Sequence, residues 1–205
     1  QEPDYSVAGT IDNTEYDKTH ADRFTVDGKS ITMEEDVQFA HYDSNVASLM
    51  QLGKWFDYMR ENGVYDNTRI ILVADHGRGL YLNWDRVIDN GPDTDFFFPL
   101  LMVKDFNAKG FSFSDTFMTT ADVPTLATSG LIDNPTNPFT GNAINANAKY
   151  DRPFYAFMSY DWDTSKNNGN QFFPGTWYRV DNQNARDKRN WVMVGENTVL
   201  PDALR

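Results

Sequence analysis

No cysteine occurs in the 205 residues. Thiol catalysis, disulfides and zinc–thiolate sites are excluded with it. The absence is silent on compartment, because a cysteine-free chain suits either redox environment. Positive charge is also short. Eighteen Lys and Arg stand against 30 Asp and Glu, for a net charge of −12. Nucleic-acid binders cluster Lys and Arg against phosphates, and no such cluster is present. A membrane-surface helix with a basic face is absent too. An acidic chain stays compatible with an anionic substrate when a bound metal reverses the local sign. Long hydrophobic runs are missing. The longest, 96–103, contains Pro99 and falls far below the ~20 residues that span a bilayer. No signal-peptide pattern is visible. The first residue is Gln1 rather than Met, and we expect a segment whose anchor or export signal lies outside it.

What is present suffices for a packed core. Aromatic residues make up 15% and hydrophobic residues 40% of the chain, too much for a disordered polymer. The length suits one domain or a large part of one. We expect 1–205 to be a single domain belonging to a larger catalytic domain. It divides into an irregular lead-in at 1–32, an α/β core at 33–130, and a loop with a small antiparallel sheet at 131–205.

Within the core, Thr32-Met33-Glu34-Glu35 fits a capping box. Val46, Leu49, Met50, Phe56 and Met59 follow at helical spacing. The pattern predicts a long helix over 33–61, stopped by Gly63 and with a break near His41 left open. Residues 69–74, Arg69 followed by an unbroken β-branched and aliphatic run, are expected as a strand buried on both faces of a parallel sheet. A polar loop follows over 77–95, and 96–103 reads as a second buried strand with Pro99 marking an edge or bulge. Thr119 or Thr120 caps a short helix over 121–129. Residues 131–150 are rich in Asn, Pro, Thr and Ala and form an unusually long loop. Strands are expected over 154–160, 177–180 and 191–194.

The chemistry concentrates at Asp75 and His76, where the first core strand ends. Ligands of open α/β sheets bind beyond the carboxyl ends of the strands. A carboxylate beside an imidazole makes half a site for Mn²⁺, Mg²⁺ or Zn²⁺, and Gly77 allows a tight turn beside the ion. The competing reading is a turn-capping Asp75 next to a surface histidine.

Four stretches carry a resemblance. Residues 65–77, an Asn-Thr turn running into a strand that ends Asp75-His76-Gly77, resemble the corresponding segment of sulfatases and their relatives in the alkaline phosphatase superfamily. Leu52-Gly53 and 55–63 are similar to the family's preceding helix. Phe98-Pro99 through Lys104 resembles the following strand, and Thr120 to Leu126, with Asp122, Pro124 and Thr125, resembles the family's Asp-x-x-Pro-Thr-Leu helix. Together they span about residues 42–131. Within the superfamily the likeness is to the membrane-anchored bacterial branch of lipoteichoic acid synthase-like phosphoglycerol transferases.

That resemblance implies an alkaline phosphatase/sulfatase-like mixed α/β sheet flanked by helices. It implies a metal-dependent hydrolase or transferase of phosphate or sulfate esters, lipid- or glycan-linked, working outside the cytoplasm at the cell envelope. Asp75 and His76 carry over as ligands of a divalent ion, Mn²⁺, Zn²⁺, Mg²⁺ or Ca²⁺. Arg78 and His20 are candidate substrate contacts, each set against a reading as a solvated loop residue. The family's nucleophile and first acidic ligand lie upstream of the Asp-His pair. No matching motif precedes Asp75, and no Cys exists to become formylglycine, so the nucleophile is expected outside this segment, which by itself is expected to be inactive. The alternative is a sulfatase-like domain without catalysis that binds a glycan or protein partner.

Other residues weigh less. His41 is expected to pack or to face solvent on the long helix. Asp12, Asp17 and Asp22 match no calcium loop. Asp161 and Asp163 read as a turn. Phe172, Phe173, Trp177, Tyr178 and Trp191 serve either a sugar pocket or, as aromatics do more often, a core. An uncovered strand edge is expected to promote self-association.

Overall fold

The computed structural model describes residues 19, 20, 24–26, 28–82, 84–159 and 173–204. Asp12, Asp17, Asp22, Asp161, Asp163 and Phe172 lie outside the described residues. Among the described residues the architecture is mixed α/β: two α-helices, small antiparallel sheets, and a further strand pair. The chain divides into two compact units. The first comprises 1–70, 80–82 and 102–111, and the second 71–79, 83–101 and 112–205.

The first unit is built on α1 (Asp36–Glu61) and a short hairpin of β1 (Thr25–Val26) and β2 (Lys29–Ser30). The helix begins at a Glu35 cap, not at the expected Thr32. Gln38 is the reason. Its Oε1 accepts the backbone amides of Glu34 at 2.8 Å and Glu35 at 3.0 Å, and its Nε2 donates to the Leu80 carbonyl at 2.8 Å. A buried amide satisfied at both ends pins the helix start three residues later than the threonine box would. No break occurs near His41, which is half-buried. Phe24 and Phe39 are buried with ring centroids 5.7 Å apart, and Phe24 meets Tyr42 edge-on at 4.8 Å. At the other end Gly63, at φ +68°, turns the chain out of the helix as expected.

β3 (Ile70–Val73) and β4 (Leu101–Lys104) pair as two strands alone. This corrects two expectations. β3 is not buried on both faces: Ile70 is buried, but Val73 is 45% exposed, because a two-stranded ribbon has no second neighbour and little cover. The second strand starts at Leu101, not at 96. Residues Thr94–Phe97 instead form a 3-10 turn, because the buried Asp93 carboxylate accepts the Asp95 amide at 2.9 Å and caps it. Pro99 therefore sits before the strand, where its missing amide costs no ladder bond.

The second unit centres on an antiparallel sheet of β5 (Phe154–Met158), β6 (Gly175–Val180) and β7 (Trp191–Thr198), in that order. This is the antiparallel tail expected from the sequence, with β7 longer than its predicted four residues. Register places Ala156 opposite Tyr178 and Val180 opposite Trp191. These four are the buried cluster, covered by Ile88, Phe97, Phe154 and Ala185. Tyr178 and Trp191 are thus core, not pocket, residues. The Trp191 indole donates to the Ala185 carbonyl at 2.8 Å, so its polar edge is satisfied.

α2 (Val123–Thr128) follows a 3-10 turn at Thr120–Asp122. Thr119 is the cap, reciprocated by Asp122, and Pro124 occupies the first helical turn as expected. The long loop after it contains a bridge between Thr136 and Ala143 and a 3-10 turn at Ala148–Tyr150.

Candidate functional site

Asp75 and His76 lie just beyond β3, in the second unit. The Ala74 amide donates to the Leu100 carbonyl at 3.0 Å, and the Gly77 amide to the Phe96 carbonyl at 2.9 Å. The chain is thereby stitched down on both sides of the pair. Gly77 is required there. A side chain on it would land on the Asp95 carbonyl oxygen and come within 2.8 Å of that of Phe98. Gly79 is constrained in the same way by the Phe96 ring. Close backbone approach to 95–98, rather than room for an ion, explains both glycines.

Within this strap the two side chains are oriented by their own backbone. Asp75 Oδ1 accepts the His76 amide at 2.9 Å. His76 Nδ1 lies 2.7 Å from the Gly77 carbonyl. A carbonyl only accepts, so Nδ1 carries the proton, and in the neutral ring Nε2 keeps its lone pair. The remaining groups, Nε2 and Asp75 Oδ2, are 3.8 Å apart. Metal–nitrogen and metal–oxygen bonds of about 2 Å each let a single ion reach both. A ligating histidine characteristically donates its other ring nitrogen to a carbonyl, as His76 does. The donor set therefore fits a divalent cation.

The pair faces solvent, with the Asp75 side chain 88% and the His76 side chain 69% exposed. Among the described residues, no group of three or more His, Asp or Glu is placed to hold a metal ion. The turn-capping reading holds for Oδ1, and the metal reading is served by Oδ2 and Nε2.

Arg78 follows the pair, exposed between the two constrained glycines. Every other described Arg except Arg152 has a partner; Arg86, for example, pairs with Asp95. Arg78 and Arg152 alone among them have none. His20 belongs to the first unit, is exposed, and its Nδ1 lies 3.0 Å from the Thr19 hydroxyl. The sequence reading missed Gly79 and the 93–98 segment that shapes the strap. The Gly77-Arg78-Gly79 spacing was the available signal.

A second cluster surrounds Asp122. Its carboxylate accepts the Thr119 amide at 2.7 Å and meets Lys149 at 3.0 Å. Burial by itself raises the Asp122 pKa, but the Thr119 amide and the Lys149 ammonium outweigh it, and the net shift is downward. Comparison with protein-family profiles, with curated proteins and with solved structures gives no match to this chain.

Proposed function

We propose that the chain is the C-terminal part of a sulfatase-like, metal-dependent hydrolase or transferase of phosphate or sulfate esters. The reaction is phosphoglycerol-type transfer or sulfuric ester hydrolysis at the cell envelope, in a protein anchored to the membrane outside this segment. One observation carries the reading. At the end of β3 the Asp75 Oδ2 and His76 Nε2 atoms, 3.8 Å apart, are both left available by backbone bonds to their neighbouring atoms. In this reading Asp75 and His76 supply two ligands of a catalytic cation, and the nucleophile and further ligands come from outside the segment. The metal neutralises charge on the ester oxygens when bound. Arg78, two residues after His76 and without a partner among the described residues, holds a non-bridging ester oxygen. The coarse α/β fold is compatible with an alkaline phosphatase-type sheet, and Val73 and Leu100, both exposed, leave an apolar edge through which the isolated segment self-associates.

Calorimetric titration with Mn²⁺ and with Zn²⁺ tests the metal reading. The chain is expected to bind weakly, and Asp75→Ala and His76→Ala each to abolish the heat without lowering thermal stability. Equal heats in parent and variants would remove the basis of the proposal.

A further inference from the structure

The long loop after α2 builds a site with no counterpart in that reading, and the inference does not rest on Asp75 and His76. Residues 137–155, together with parts of 117–125, line an open cleft of about 480 Å³. That is within the range of small-ligand sites. Among the described residues its charged lining groups are Asp122, Lys149 and Arg152. Asp122 and Lys149 neutralise each other at 3.0 Å. Arg152 has no partner among the described residues. Among the described residues, the cleft therefore carries one uncompensated positive charge on a chain of net charge −12.

The polar groups around it include donors without partners. Asn137 Oδ1 accepts the amides of Phe139 at 2.8 Å and Thr140 at 3.2 Å. Asn145 Oδ1 accepts the Asn147 amide at 3.0 Å. Both carboxamides are thereby held through their oxygens, that of Asn137 by two amides and that of Asn145 by one, while their NH₂ groups have no partner among the described residues. The Asn142 carboxamide makes no hydrogen bond among the described residues. The loop carrying these groups is braced across its base, where Ile144 donates to the Pro135 carbonyl at 3.0 Å and Asn137 to the Asn142 carbonyl at 2.8 Å. The aromatic residues Phe117, Phe154 and Tyr155 also line the cleft.

Fixed NH₂ donors beside a guanidinium require a ligand rich in acceptors and negatively charged at one end. Planar amides that exchange hydrogen bonds with hydroxyls, plus an aromatic wall, suit a sugar ring. We propose that this cleft binds an acidic saccharide, with Arg152 taking its carboxylate or sulfate and the three asparagines taking its hydroxyl and ring oxygens.

The test is calorimetry on the full chain with a glucuronate-containing disaccharide, with lactose as the neutral probe and inorganic sulfate as the bare anion. The acidic disaccharide is expected to bind at least about tenfold tighter than either control. Arg152→Ala is expected to weaken it about tenfold and Asn142→Ala by a smaller factor. Both residues are exposed, and unchanged circular dichroism checks that the variants fold. Absence of binding, or equal affinity in parent and Arg152→Ala, overturns the proposal. Sulfate binding as tightly as the disaccharide overturns the saccharide assignment.

Discussion

The β5–β6–β7 sheet and the β3–β4 pair begin from similar material, short runs of β-branched, aromatic and aliphatic residues, and end differently. In the three-stranded sheet, β6 has a neighbour on each side. Val180 is fully buried, and Trp191 is only 6% exposed. Phe97 completes the packing 5.0 Å from the Trp191 ring. In the pair, Val73 is 45% exposed. Strand content does not decide burial; a second neighbour and a covering layer do. The candidate metal ligands lie at the end of the less covered strand, where a side chain stays accessible.

The largest expected effect breaks the covered side of this contrast. Trp191→Ala removes a buried indole and its bond to Ala185 and is expected to cost ~3–5 kcal/mol, read by chemical denaturation. Next, Asp122→Asn weakens the pair with Lys149, whose side chains are 11% and 17% exposed. A loss of ~2 kcal/mol is expected at neutral pH, below that of a fully buried pair. The pH dependence has a definite sign. Asp122 is lowered by the folded state, so its contribution is complete above the unfolded value of ~4 and fades as pH falls through the lower folded one. Stability measured against pH is therefore expected to fall less steeply in the acid range in the variant than in the parent.

Gly77→Ala attacks the strap beneath the candidate ligands. Overpacking against the Asp95 and Phe98 carbonyls is expected to cost ~1–3 kcal/mol and to weaken any metal binding by Asp75 and His76. At the small end, Val73→Thr is expected to change stability by no more than ~0.5 kcal/mol. A cost near that of Trp191→Ala would show that β3 is covered in solution, and the contrast would fail. The faintest effect is at Asp187, held at about 2 by its hydrogen bonds to the Arg189 side chain and amide. Its contribution is expected to disappear only as pH falls from about 4 towards 2, visible as a late-titrating carboxyl by NMR.

The sequence made legible those elements whose signals are local. The apolar stripe from Val46 to Met59, the Thr119–Pro124 cap and the short runs 177–180 and 191–194 each predicted the right element. Errors arose where a distant group competed with a local one. Thr32 looked like a helix cap, but Gln38, fastened to Leu80, moved the start to Glu35. Residues 96–97 looked like strand, but the buried Asp93 curled them into a 3-10 turn. Asp75 and His76 were visible as residue types at a strand end. The tautomer that leaves Nε2 available was not, because it depends on the Gly77 carbonyl turning back toward the ring. The donor-rich cleft was hidden for a similar reason: Asn137, Asn142 and Asn145 read as loop composition until their oxygens and NH₂ groups are told apart.

Lys104, in the first unit, gives one more consequence. Its ammonium collects the carbonyls of Tyr65, of Asp66 at 3.3 Å and of Thr68 at 2.9 Å, and sits 4.4 Å from the centre of the Tyr65 ring. Converging carbonyl dipoles of this kind are what many turns offer to a bound potassium or sodium ion. Here the cation is tethered covalently to β4, so it cannot dissociate, exchange or be chelated. The turn leading into β3 thus carries its own built-in cation at these carbonyls.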